Sequence, residues 1–450
     1  MSDREQLSAR VHDDAARIRA ELERLVRIPS VSFEGFEPAT VQDSAGATAD
    51  ILRAAGCPEV RLLELDGAAP AVFAHVPGPE GAPTVLLYAH HDVQPPGADD
   101  LWETPPFEPA ERDGRLFGRG SCDDKAGVVV HAAAIRAWGG RPPVTVKVFI
   151  EGEEEAGSPN LSRFLEAFGD DLSADVIVLA DATNWDTGVP GLTTTLRGLV
   201  DCVVEVRVAD HAVHSGMYGG PAPDAITAMA RVLSSLHDER GNVAIPGLVA
   251  GEPPAAQLTE EEYRADLGAR PGLQLIGEGT ITERLWAKPA VAVLGFDAPR
   301  VREASNQIVP VARAKVSLRL APGDDPHRAQ DALVKHLEAN APWGVDVQVT
   351  PGGAGEPYRV RADGPVYDAA RRAFRDIWGT DPVDMGAGGS IPFVADFAER
   401  WPDAALLLTG VEDRQGRAHA ENESVDLKEL ERACLAEALL LQYVAATVGP

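Results

Sequence analysis

His90 and Asp92 stand two residues apart where the apolar run 84–89 ends. An imidazole that binds a metal through one ring nitrogen usually donates its other N–H to a carboxylate, which fixes tautomer and ring orientation. His90 is therefore a candidate metal ligand, and Asp92 a candidate for the group that orients it. Other metal-capable residues punctuate the chain. Glu151-Gly-Glu-Glu154-Glu155 follows the apolar run 144–150, and Asp181 follows 176–180. Asp123-Asp124 closes Gly118-Arg-Gly-Ser-Cys, and His419 heads His-Ala-Glu-Asn-Glu423. Carboxylates with imidazoles suit zinc, manganese or cobalt, and residue type does not choose among them.

Continuous apolar runs bounded by polar residues read as strands buried on both faces. Runs 84–90, 144–150 and 176–180 are such strands, and 128–138 and 161–168 read as helices between them. That alternation is the pattern of a largely parallel sheet with helices on both faces. Ligands gather at the carboxyl ends of strands in such sheets. His90, Glu154-Glu155 and Asp181 each stand at one of those ends, so they converge. Upstream, Leu7, Val11, Ile18, Leu22 and Leu25 share one helical face, and 60–65 and 71–76 read as strands.

After Arg197-Gly198 the pattern changes. Run 200–208 alternates as a half-exposed strand does, and 224–236 is helical. An irregular acidic stretch over 246–279 precedes strands 290–295, 314–320 and 345–349 and helix 326–337. Gly352-Gly-Ala-Gly355 reads as a linker. Helix 365–378, a helix opened by Gly388-Gly-Ser-Ile-Pro392, strand 405–408 and helix 427–446 resume the first pattern. The fold class expected is α/β. A mostly parallel-sheet catalytic domain (1–198 with 357–450) holds an inserted α+β lid and dimerisation domain (199–356).

Seventy Asp and Glu against 41 Lys and Arg give the 450-residue chain a formal charge of -29. That argues against nucleic-acid and anionic-membrane partners, which need basic patches. The first residues lack a charged-then-apolar signal pattern, and no apolar run approaches membrane-spanning length. Cys57, Cys122, Cys202 and Cys434 form no CxxC pair, as expected of reduced thiols in a cytoplasmic protein. Cys122 is read as filling space. His75 and His131, in apolar surroundings, are read as structural, and His91 as pointing away from its neighbour's ligand side.

His90-x-Asp92, the Gly118–Lys125 segment, Glu154-Glu155, Asp181 and His419-Ala-Glu-Asn-Glu423 together resemble, in order, the ligand set of the co-catalytic di-zinc metallopeptidases. That family includes carnosinase-like dipeptidases, carboxypeptidase G, aminoacylase, acetylornithine deacetylase and succinyl-diaminopimelate desuccinylase. The resemblance implies two divalent ions, zinc foremost. Asp123 would bridge them, His90 and Asp181 would complete one site, and Glu155 and His419 the other. Glu154 would be the general base acting on a metal-bridging water, with Asp92 orienting His90. The family also implies a cis bond at Asp123–Asp124.

Within the insert, His214-Ser-Gly-Met-Tyr-Gly-Gly220, Arg284-Leu-Trp-Ala-Lys-Pro289, Asn306-Gln-Ile-Val-Pro310 and Ser317-Leu-Arg319 resemble carnosinase-type dipeptidases. So does Gly388-Gly389-Ser390. By that resemblance His214 reaches the site of a second subunit and stabilises the tetrahedral intermediate. Asn306, Arg319, Gly389 and Ser390 contact substrate. Gly386-Ala387 departs from the charged pair often found there, which leaves the grip on a substrate carboxylate open. The resemblance implies a homodimeric dipeptidase cleaving short peptides with a free C-terminus. A deacylase of N-acyl amino acids and a metal-binding scaffold on the same fold are the alternatives.

Overall fold

A computed structural model describes residues 3–388 and 392–447. Its main strands are β1 (Glu59–Leu63), β2 (Ala71–Val76), β3 (Thr84–His90), β4 (Thr145–Glu151), β5 (Val176–Leu179) and β6 (Gly191–Leu196). After these come β7 (Gly198–Arg207), β8 (Ala290–Asp297), β9 (Val311–Leu320), β10 (Asp346–Gly355) and β11 (Ala405–Leu408). The helices used below are α1 (Asp3–Val26), α2 (Pro38–Ala54), α3 (Lys125–Ala137), α4 (Leu161–Leu172), α5 (Ala225–Ser234), α6 (Glu260–Asp266), α7 (Pro326–Ala339), α8 (Pro365–Trp378), α9 (Pro392–Arg400) and α10 (Leu427–Thr447). The chain divides into two compact units. One takes in Met1–Thr194, Val360–Met385 and Pro392–Pro450, the other Thr195–Arg359 with Gly386–Ile391.

The first unit is built on a sheet of order β1-β2-β4-β3-β5-β11-β6. Its centre, β4, β3, β5 and β11, is parallel, and β1, β2 and β6 join antiparallel. Val85 to Ala89 are fully buried, as an unbroken apolar strand requires. Helix α3 is apolar all round and buried nearly throughout. It packs on β3 and against α1 and α10. Asp124 caps it, accepting from the Gly127 N–H at 3.2 Å. A β-carbon at Gly127 would stand 2.3 Å from that carboxylate, so the capping turn needs glycine there. His131 reads as structural: Nδ1 meets Glu437 at 2.9 Å and Nε2 donates to the Tyr88 carbonyl at 3.0 Å. Helix α2, which the sequence pattern did not single out, buries Val41, Ala45, Ala49 and Leu52. Its stripe is largely alanine and so carries little hydrophobic contrast.

The second unit carries an antiparallel sheet of order β8-β9-β7-β10. Val200, Cys202, Val204 and Val206 alternate inward on β7. They pack with the inward residues of β9 and with α5 and α7. Gly352–Gly355, expected as a linker, instead continues β10. Past a bulge, Ala354 pairs with Val200 and Gly355 with Leu199. Gly352 suits the strand because a β-carbon there would lie 1.8 Å from an oxygen of Asp201. The stretch 246–279 contains α6, opened by a reciprocal capping box between Thr259 and Glu262.

In the first unit one buried ion pair ties remote segments together. Arg119, 1% exposed, donates from Nη1 to Glu423 Oε2 at 2.7 Å. Its Nη2 reaches the His419 carbonyl at 3.1 Å. Glu423 also accepts from the backbone N–H groups of Gly120, Cys122 and Asp123. Removing one partner of such a pair leaves a charge buried alone. Arg119→Met should therefore lose about 3–5 kcal/mol of stability, read as a lower urea midpoint with an unchanged slope.

Candidate metal centre

Strand β3 delivers His90 to the carboxyl edge of the sheet, fully buried. Its Nδ1 lies 3.1 Å from the Asp92 carbonyl and 3.4 Å from Asp92 Oδ1. That turns Nε2 toward Asp123, whose Oδ1 is 3.0 Å away. His91 faces elsewhere: its Nε2–H donates to the Pro70 carbonyl at 2.9 Å, and burial pushes its pKa down to about 4.

The Asp123–Asp124 bond is cis. Asp124 turns away to cap α3 and to accept from the His90 N–H at 3.2 Å. Lys125 is buried, and its Nζ donates to the carbonyls of Leu25 and Ile28 at 2.8 and 2.7 Å. Asp123 is left to the site. Its Oδ2 meets His419 Nε2 at 2.9 Å while its Oδ1 meets His90. Burial pushes the Asp123 carboxyl up, but hydrogen bonds from His419 and His90 outweigh this and hold it below the usual carboxylate range.

The glutamates arrive differently from the simple picture of a strand end. Strand β4 ends at Glu151, and Glu154–Ala156 forms a 3-10 turn. Asp92 governs that turn: Oδ1 accepts from the Glu154 N–H at 3.2 Å and Oδ2 from the Glu155 N–H at 3.1 Å. Ser32 donates to the same Oδ2 at 2.7 Å. Glu155 Oε2 lies 3.3 Å from His419 Nε2 and accepts from the Gln94 side chain at 2.8 Å. Glu154 Oε2 lies 3.9 Å from His90 Nε2. Burial pushes the Glu154 carboxyl up to about 8, with Glu155 and Asp92 adding to the rise. Asp181, just past β5, is raised too, first by burial and then by Glu154.

His419 lies on a loop whose residues Arg417, His419 and Asn422 all have positive φ. Such backbone is unusual outside glycine and must be held by its surroundings. The grip of Arg119 on the His419 carbonyl and of Asn422 on the Leu101 carbonyl and Glu103 N–H supplies that hold. Asp123 and Glu155 together raise the His419 pKa to about 11.

Among the described residues, three sets of donor atoms each lie within 4.8 Å of one another: His90, Glu154 and Asp181; His90, Asp123 and Glu155; and Asp123, Asp181 and Glu412. Carboxylates crowded around one buried imidazole, His90, and one exposed imidazole, His419, are a donor set that fits divalent cations. The two oxygens of Asp123, each facing a different imidazole, give that set two halves. Glu412 was not anticipated. It stands beyond β11, the strand parallel to β5, and accepts from Thr183 Oγ1 at 3.0 Å. Its run, 405–408, is too short for its downstream acid to be singled out. Burial, then the charge of Asp123, pushes Glu412 up to about 8.

The remaining expected residues fall in the second unit or outside the described residues. His214 and Gln307 pair on a two-residue ladder, and the Ser215 N–H donates to the Asn306 carbonyl at 2.9 Å. His214 is exposed, its Nδ1 accepting from the Gly216 N–H at 3.0 Å. Arg319 lies on β9, half-buried. Gly389 and Ser390 lie outside the described residues.

A family model described as Peptidase family M20/M25/M40 matches residues 86–443. The chain is 36% identical over 374 residues to a cysteinylglycine-S-conjugate dipeptidase of Corynebacterium striatum, covering 80% of this chain and 81% of that one. It is 30% identical over 380 residues to a Beta-Ala-His dipeptidase of Rattus norvegicus, covering 79% and 76%. The crystal structure of human carnosine dipeptidase 1 superposes with a TM-score of 0.84 at 26% identity, over 99% of each chain.

Asp92 touches His90 and both glutamate N–H groups, so its loss should disturb several donors together. Asp92→Ala should weaken divalent-metal affinity by roughly 10- to 100-fold, the range for groups that orient ligands. Competition with a fluorescent chelator measures it.

Proposed function

The chain belongs to peptidase family M20/M25/M40, and on that premise we propose that it hydrolyses the peptide bond of dipeptides and short peptides with a free C-terminus. The observation that carries this reading is Asp123, one oxygen at His90 Nε2 and the other at His419 Nε2. In the proposed arrangement His90, Asp181 and Asp123 hold one divalent ion, and Asp123, Glu155 and His419 the other. Two such ions polarise a carbonyl and make a nucleophile available near neutral pH.

The chain's own residues then do the positioning and the proton work. Glu154 takes a proton from the attacking water on a carboxylate oxygen. Burial raises the affinity of this carboxylate for a proton, which suits a group that accepts one and later returns it to the leaving amine. Asp92 sets the 3-10 turn on which Glu154 and Glu155 ride, and Gln94 fixes the Glu155 carboxylate. Asn306 and Arg319 are proposed to contact substrate, with Gly389 and Ser390. His214 is proposed to serve the site of a second copy. An exposed imidazole with Nδ1 occupied by its own turn supports this.

Zinc is the proposed metal, with manganese and cobalt compatible with the same donors. A homodimer is proposed through the second unit. Its β8 is an edge strand that exposes Val293, Leu294 and Phe296, at 45, 63 and 43%. Open apolar edges of this kind invite pairing with another chain. Cytoplasmic residence is proposed from four cysteines that are all unpaired and buried. No helix among the described residues is long and apolar enough to cross a membrane.

Protein reconstituted in turn with zinc, manganese and cobalt should cleave unblocked dipeptides faster than matched N-acetyl amino acids. Glu154→Gln should retain its metals and lose at least about two orders of magnitude in kcat, the scale of general-base catalysis. Faster cleavage of the acyl amino acids would place the enzyme among the deacylases. Separately, His214→Ala mixed with Glu154→Gln should regain activity through hybrid dimers. No recovery despite proven subunit exchange would show a self-contained protomer.

A further inference from the structure

The second unit carries an open-mouthed cavity of about 700 Å³ that no residue of the metal centre lines. Ile245, Leu248, Ile281 and Leu285 give it an apolar wall. Its charged lining is unlike the rest of a chain with a formal charge of -29: Arg197, Arg284 and Lys288 against one carboxylate, Glu278. Glu278 is already engaged, by Arg240 at 2.6 Å and by the Asn242 amide at 3.2 Å. Arg284 Nη1 donates to the Ile276 carbonyl at 3.0 Å, and Lys288 Nζ to the Glu278 carbonyl at 2.6 Å.

Arg197 is different. It is 8% exposed, and its Nη1 has no hydrogen-bond partner among the described residues. Its Nε makes one long contact, 3.4 Å, to the Gly388 carbonyl, and its backbone N–H donates to the Ala387 carbonyl at 3.2 Å. The charged group that acts on it is Arg319, a second cation. Burial, then Arg319, pushes its pKa down to about 10, so the guanidinium stays charged at neutral pH. A buried cation beside another cation, with a donor left over, costs stability unless an anion arrives. Planar guanidinium donors match a carboxylate in geometry as well as charge.

We propose that this cavity binds a small organic carboxylate with an apolar body, its carboxylate on Arg197 and its body among the four aliphatic side chains. The apolar wall disfavours inorganic phosphate, and the volume lies in the range of small-molecule pockets. Such an acid has two sources, the C-terminal residue of a peptide substrate or a separate effector.

The test uses the full-length, metal-loaded protein and isothermal titration with 4-methylpentanoate and 4-methylpentanamide. The acid should bind roughly ten- to hundredfold more tightly than the amide, as a buried charge-assisted hydrogen bond implies. Arg197→Met should abolish that preference while keeping its metals. Arg197→Met should also unfold little more easily than the parent protein, because among the described residues the guanidinium gives up only the long Nε contact to the Gly388 carbonyl. Binding of the acid that persists in Arg197→Met lies at the metals and overturns the proposal. Equal binding of acid and amide to the parent protein overturns it as well, even where the variant fails to fold. Titration in a Glu154→Gln background saturated with Gly-Leu separates the sources. Competition identifies the substrate's own carboxylate, and simultaneous binding identifies an effector.

Discussion

The Arg119–Glu423 pair is the constraint on which the proposed metal centre rests. Asp123 must present two oxygens to two imidazoles, and nothing in the local sequence would hold a Gly-Arg-Gly-Ser-Cys loop in that pose. Glu423 does so by accepting from the backbone N–H groups of Gly120, Cys122 and Asp123. Arg119 neutralises Glu423 and, with the same guanidinium, holds the carbonyl of His419. Two donors from opposite ends of the chain are thus fixed against each other by one fully buried pair. Burying charges in this way adds little net stability. What it supplies is a single geometry.

A second tier of order comes from Asp92. A carboxylate beside a histidine commonly sets only the imidazole. Here both of its oxygens also receive the N–H groups that open the Glu154–Ala156 turn. The imidazole proposed to hold a metal and the glutamate proposed to move a proton are therefore referenced to one side chain. A shift of one carries over to the other.

Much of this was legible in the residues. Unbroken apolar runs named β3, β4 and β5, and parallel topology dictated that their ends share an edge, so His90, the glutamate pair and Asp181 could be brought together beforehand. What escaped notice did so for physical reasons. Helix α2 is held by an alanine stripe with little hydrophobic contrast. Glu412 lies past a short strand whose neighbour in the sheet is remote in sequence. The role of Glu423 is made of backbone hydrogen bonds, which no side-chain pattern records. The run Gly352–Gly355 has the composition of a linker, yet glycine was needed there for clearance against Asp201 within a strand. The stretch 246–279 offered one local signal, the Thr259–Glu262 capping box. It gave no hint that the same stretch would wall a cavity around an arginine whose Nη1 has no partner among the described residues.

Asp123 and the glutamate that anchors its loop are 300 residues apart along the chain, and Arg115, just before the loop, pairs with Asp413 at a separation of 298. A growing polypeptide can pair β3 with β4 and β5 long before either partner exists. The donors His90, Asp123, Glu155 and Asp181 would then be assembled without the loop that completes them. The centre can therefore take its full geometry only once Asp413 and Glu423 are present, so its shape waits on a segment remote from the strands that carry most of its donors.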